Sequence, residues 1–152
     1  GQDLDPRAMP RSREEVADAI TAMHAAIELV DGQWVDMTNV DAPSLVANNG
    51  EGLLVLGPAV AGWRPLDRPG LPLTLAINGQ LAAQGVGANA MGDPIMALTW
   101  CVNELSRRGH SVRAGELITT GNALSDYCFG HAGDVVVADC GALGRVYAVF
   151  VE

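Results

Sequence analysis

Residues 85–121, GVGANAMGDPIMALTWCVNELSRRGHSVRAGELITTG, place the tightest limit on the fold. They read as a strand end, a glycine loop, one amphipathic helix and a second strand entering a Thr-Thr-Gly turn. Asp93 is placed to cap the helix, and Pro94 takes its first position, where a missing amide costs nothing. Ile95, Leu98, Val102 and Leu105 fall on one face, which Trp100 and Cys101 broaden. Gly109 is the expected stop. Just upstream, Asn78-Gly79 separates the apolar runs 73–77 and 80–84. Asn-Gly suits a two-residue hairpin because both turn positions need positive φ.

The flanks extend this pattern. Residues 1–11 are polar and read as an exposed lead-in. Ser12 and Glu15 form a Ser-x-x-Glu capping box that starts a first helix. Val16, Ile20, Met23 and Ile27 would share one face of it, and residues 26–30 then read as a strand. Residues 31–50 look irregular, with room for one helical turn. Residues 53–56, 116–120, 134–138 and 145–151 read as strands, and 61–70 as a loop. Two helices among hairpins define an α+β chain with an antiparallel or mixed sheet, in a single domain spanning 1–152.

Composition removes several classes of function. The formal charge of −9 speaks against a nucleic-acid partner, whose phosphates demand basic patches. All nine basic residues are arginine, so this chain has no lysine for a Schiff base or a lysine general acid. No apolar run reaches the roughly 18 residues of a membrane span. Cys101, Cys128 and Cys140 form no CxxC pair and suit buried apolar positions, which agrees with a cytoplasmic setting.

Gly85-Val-Gly87-Ala-Asn-Ala90 mimics a dinucleotide fingerprint. The helix, however, starts at Asp93, whose carboxylate would repel a pyrophosphate, and the preceding strand belongs to a hairpin. His24, read as helical, and His110 and His131 show no metal spacing; each suits a structural or solvated place. Glu28 stands out within the apolar residues 25–30, followed by Asp31. An acid among apolar neighbours is paired, protonated or metal-bound, or else its strand lies at an edge and is partly exposed.

Ordered segments along the chain carry a family resemblance. They are Ile27-Glu-Leu-Val-Asp31, Asp41-Ala-Pro-Ser-Leu45, Leu54-Val-Leu-Gly-Pro58, Ile77-Asn-Gly79, Gly92-Asp-Pro94 with Trp100, and Arg113-Ala-Gly-Glu-Leu-Ile-Thr-Thr-Gly121. The chain resembles the C-terminal portion of the 2-oxopent-4-enoate hydratase and 4-oxalocrotonate decarboxylase family, within the fumarylacetoacetate hydrolase superfamily. The resemblance implies a highly curved mixed β-sheet rolled around a central helix. It also implies Mg²⁺ or Mn²⁺ chelated by three acidic residues and by a small 2-oxo acid, with the metal stabilising an enolate during hydration or decarboxylation.

Carried over by position, Glu28 matches a metal ligand, and Thr120 and Gly121 match the turn bordering the substrate carboxylate. Asn122 follows that turn and joins the substrate-binding set; the polar residues 122–127 are a place for acid–base groups. Asp31, Thr120 and His131 complete the catalytic candidates. The family's Glu-x-Glu pair and its lysine would precede residue 1, and its Ser-Arg after the acid is Gly32-Gln33 here. Three readings follow: a fragment or split half of a lyase, a repurposed short member without metal, or a non-catalytic binding subunit. The first implies weak metal binding by this chain alone, and a homo-oligomer or a partner chain that carries the remaining motifs.

Overall fold

The computed structural model describes residues 1–30, 39–44 and 52–151. In order, the elements are α1 (Arg13–Asp18), β1 (Ala26–Val30), β2 (Gly52–Leu56), β3 (Pro72–Ile77), β4 (Gln80–Val86), α2 (Pro94–Arg107), β5 (Val135–Asp139) and β6 (Arg145–Val149). Residues 42–44 are helical, where the sequence allowed one turn. Four strands form a sheet in the order β4-β3-β5-β6, and β1 pairs with β2 in a second, two-stranded sheet. Every pairing between these described strands is antiparallel.

The hairpin of β3 and β4 turns at Asn78 (φ 52°) and Gly79 (φ 77°), both in the left-handed region as a type I′ turn requires. Asn78 also ties this turn to β5: its Nδ2 donates to Asp134 and its Oδ1 accepts from the Val135 amide. The inner faces of both sheets meet in one core of Ala25, Ile27, Val136, Ala138, Cys140, Leu143 and Val146. A smaller core joins the helices through Val16, Val102 and Val112, with Leu4 and Leu105 packed on it.

The end of α2 is a Schellman motif. The Gly109 amide donates to the Ser106 carbonyl and the His110 amide to the Leu105 carbonyl, with Gly109 at φ 80°. At its start the Asp93 side chain accepts from the Ile95 amide.

The structure corrects several sequence expectations. α1 stops at Asp18, so Ile20, Met23 and Ile27 do not continue it, and His24 is not helical. Met23 instead pairs its backbone with Val60, and Ile27 enters β1; tertiary pairing overrides a local helical period. Residues 116–120 form no strand. The Glu116 side chain folds back to accept from the Arg113 amide, and the Glu116 amide returns to the Arg113 carbonyl, making a turn where a ladder was expected. The lead-in is exposed as expected, and it is also pinned: Leu4 pairs with Val112, and Asp3 and Asp5 hold Arg113. Trp100 is 61% exposed and does not broaden the buried face of α2. Cys140 is buried as expected, whereas Cys101 and Cys128 are only half-buried.

Candidate functional site

A cavity of about 1640 Å³ runs between the small sheet, the inner face of the large sheet, α2 and the irregular segment 112–130. Its apolar walls come from residues such as Ile27, Leu73, Leu75, Ile95 and Leu98. Its polar lining comes from several places, among them Glu28 on β1, Arg68, and Glu116, Thr120, Asn122 and Asp126 on the irregular segment.

Glu28 lies on the exposed face of β1, opposite Leu54 of β2, while Ile27 and Leu29 turn toward the core. The edge reading of this strand is therefore the right one: β1 belongs to a two-stranded sheet. Glu28 lines the cavity and makes no hydrogen bond or ion pair to another described residue. Thr120, Gly121 and Asn122 line it from the other segment. Gly121 has φ 95°, so the Thr-Thr-Gly turn needs glycine for its backbone. Asn122 Oδ1 accepts from the Leu124 amide, which orients the side-chain amide and leaves its N–H groups for another acceptor.

The polar residues that follow are exposed, while their backbone is docked. The Ser125 amide donates to the Gln84 carbonyl, Leu124 bridges Gly85, and Asn89 Nδ2 donates to the Ala123 carbonyl. The segment is thus a strap along the free edge of β4. A Cβ on Gly85 would stand 2.0 Å from the Ala123 carbonyl oxygen, and one on Gly87 would stand 1.9 Å from the Arg68 carbonyl oxygen. Close backbone approach, not phosphate binding, explains the two glycines.

His131 stands apart from the cavity lining, on an exposed turn where its amide donates to Asp134. Its ring Nδ1 lies 3.6 Å from the same carboxylate. Asp31 lies outside the described residues. The structure therefore brings Glu28, Thr120, Gly121 and Asn122 to one cavity and leaves His131 on the outside.

Sequence reasoning passed over Arg68, Arg113 and Glu116, which also line the cavity, whereas Asp126 lies in the polar run 122–127 that it singled out for acid–base groups. Glu116 had a readable signal, since it sits within the segment leading to the Thr-Thr-Gly turn. Arg68 had none, because its loop shows no periodicity. It reaches Asp93, which also pairs with Arg13 at 2.7 Å. Burial alone would raise the Asp93 carboxyl; the Ile95 amide and the two guanidiniums outweigh it and hold the group below the ordinary carboxylate range. Arg68 also stacks over Trp63, 5.5 Å from the ring centre.

A divalent cation needs several oxygen donors. Among the described residues, no three His, Cys, Asp or Glu side chains are gathered closely enough to hold one. The described donors therefore do not fit a complete metal site. Nor, among the described residues, is any helix long and apolar enough to cross a membrane.

An antiparallel sheet, a second short sheet and one long capped helix around a mostly apolar cavity define an α+β protein. The match to a family model over residues 4–151 makes it specific: this chain belongs to the fumarylacetoacetate (FAA) hydrolase C-terminal family. It is 31% identical over 150 residues to 2-keto-4-pentenoate hydratase of Paraburkholderia xenovorans (strain LB400), covering 99% of this chain and 55% of that protein. It is 32% identical over 149 residues to the 2-keto-4-pentenoate hydratase of Burkholderia vietnamiensis, covering 96% and 56%. The chain thus spans just over half the length of these relatives. In fold it is similar to 4-oxalocrotonate decarboxylase from Pseudomonas putida G7, solved in complex with magnesium and adipate. The TM-score is 0.83 at 24% identity, over 98% of this chain and 58% of that one.

Proposed function

We propose that this chain forms the cavity-bearing part of a lyase, a hydratase or decarboxylase, acting on a small 2-oxo or 2-hydroxydienoic acid. The observation that carries the reading is that Glu28 and the Thr120–Gly121–Asn122 turn line the same cavity. Family membership supports it. Thr120 donates its hydroxyl, and Asn122 its fixed amide, to the substrate carboxylate, while the apolar walls keep water from the rest of the molecule. Glu28 supplies one carboxylate toward a Mg²⁺ or Mn²⁺ ion, which when bound would polarise the 2-oxo group. Asp31 and His131 remain acid–base candidates. The setting proposed is cytoplasmic.

Assembly belongs to the same proposal. Tyr147, Val149 and Val151 are exposed at alternate positions along β6 and beyond its end. This edge strand carries an apolar row of the sort that drives association, so a homo-oligomer or a partner chain is proposed.

The test assays the chain alone and with the N-terminal portion of a hydratase relative, each with Mg²⁺, Mn²⁺ or EDTA. Turnover of a 2-hydroxydienoate or a 2-oxo-enoate is expected only with added segment and metal, and is expected to fall by orders of magnitude in Glu28→Gln. Full metal-dependent turnover by Glu28→Gln overturns the ligand role. Turnover that resists EDTA overturns the metal chemistry. The chain alone is expected to bind Mn²⁺ weakly by calorimetry, because one carboxylate does not replace three.

A further inference from the structure

We infer that His24 moves the proton in this site, its Nε2 acting as the base that activates water for addition to an unsaturated 2-oxo acid; the inference rests on the hydratase reading above. Two observations carry it: the Gly57-Pro58 step fixes the ring, and the ring sits on the same strand face as Glu28.

Gly57 and Pro58 follow directly on β2. The antiparallel ladder pairs Ala26 with Leu56 and, further along, Met23 with Val60. From Ala26 back to Met23 is three steps, and from Leu56 on to Val60 is four, so the β2 side carries one extra residue, a bulge. Pro58 lies within it and has no amide to give to a ladder. The Gly57 amide still donates to the Ala25 carbonyl at 2.8 Å, which holds the peptide in place. Its carbonyl is met by a side chain, 2.9 Å from His24 Nδ1. Glycine suits this close approach: a Cβ on residue 57 would stand 3.0 Å from Val146 Cγ2 and 3.2 Å from the Ala25 carbonyl oxygen.

A carbonyl oxygen only accepts, so Nδ1 carries the proton. In the neutral ring Nε2 then presents a bare lone pair. No described residue bonds to that atom. Residues 52–60, across the ladder from His24, include no charged side chain that would compete for the proton.

Ala25 and Ile27 are buried, whereas His24 is half-buried and Ala26 and Glu28 are exposed. This alternation puts His24, Ala26 and Glu28 on one face of the strand. All three line the cavity, and among the described residues His24 is its one histidine. Four steps of extended chain set the Cα atoms of His24 and Glu28 about 13 Å apart. Ala26 between them offers only a methyl group. A small acid can therefore lie along β1, its carboxylate end toward Glu28 and its unsaturated end toward His24.

The proton step balances within these groups. Nε2 takes a proton from a water molecule as the water oxygen bonds to the outer carbon of a double bond conjugated with the oxo group. The π pair shifts to the oxo oxygen. The enolate so formed takes the proton back from the imidazolium at its inner carbon. One water is added, and His24 returns to neutral.

Nitrogen NMR of the chain reads the tautomer. The neutral His24 ring is expected to carry its proton on Nδ1, against the preference of free histidine in water; a ring protonated at Nε2 overturns the inference. Turnover is read with 2-oxopent-3-enoate and Mg²⁺, on the chain supplied with the N-terminal portion of a hydratase relative. His24→Asn keeps an N–H for Gly57 and should lower kcat about 100-fold or more, with KM within about threefold and an unchanged thermal midpoint. Added imidazole should raise the rate of His24→Ala about tenfold or more and leave the parent's rate as it was. Parental kcat in folded His24→Asn, or a His24→Ala rate that imidazole does not raise, overturns the proton role and leaves the lyase reading standing. If the parent assembly turns over no 2-oxo acid, the lyase reading fails and the inference fails with it.

Discussion

Glycine 87 shows how a single residue can be misread by motif and explained by contact. Its missing side chain admits the Arg68 carbonyl, and its own amide donates to the Leu71 carbonyl. A methyl there meets backbone, which has no rotamer to move. Gly87→Ala is therefore expected to destabilise the fold by more than about 2 kcal/mol, the scale of an overpacked core, read as a lowered urea midpoint. Gly79 is different: nothing lies near its absent Cβ, so Gly79→Ala should cost only about 1 kcal/mol, the strain of a left-handed residue. At the site, Thr120→Val removes a hydroxyl donor and keeps the shape. Loss of a hydrogen bond to a charged group should weaken 2-oxo acid binding by about 1.5–3 kcal/mol, measured as a ratio of dissociation constants. An unaltered constant would remove Thr120 from the substrate contacts.

Among the elements, α2 was legible in the sequence because all its determinants are local. Asp93, Pro94, the apolar face and Gly109 each act within one or two turns of the helix. The β3–β4 hairpin was legible for the same reason. α1 was misread because its end depends on Met23 finding Val60, a partner 37 residues away by numbering. Residues 116–120 have strand-like composition but no ladder, and only tertiary structure decides that. Glu28 was singled out as an acid in an apolar run, yet neither the cavity nor the engagement of Arg68 could be read from spacing. The Asp93 junction yields a graded prediction. Asp93→Ala removes the cap of α2 and leaves Arg68 without its anion, at an expected cost of about 2–4 kcal/mol by chemical denaturation. Asp93→Asn keeps a capping oxygen and should cost about half as much. Equal losses for the two would show that the ion pairs, rather than the cap, dominate.

Across the whole molecule, charge is arranged in pairs whose stability depends on pH. Glu15 is lowered to about 2 by its hydrogen bonds to Arg7 and then to Ser12, and Glu104 is lowered to about 2 by Arg107 and Arg108. Asp93 is depressed as well. A carboxyl whose folded value lies below its unfolded value stabilises the protein fully above the unfolded value, near 4.5 for Glu. That contribution disappears as pH falls through the folded value. Stability should therefore hold from neutral pH down to about 5 and decline progressively between about 4.5 and 2. Thermal melts followed by circular dichroism across that range check this; a flat profile down to pH 2.5 would contradict it.

The strap over β4 has a consequence for dynamics. The same segment, 120–125, that carries Thr120 and Asn122 along the cavity continues into the backbone bonds that close the sheet's free edge at Gln84 and Gly85. Breathing of the pocket and fraying of that edge are then one motion. A ligand that quiets the turn should slow amide hydrogen exchange at Ser125, whose N–H is the strap's own tether. An empty pocket would leave the outermost strand open for a share of the time, available to pair with another chain.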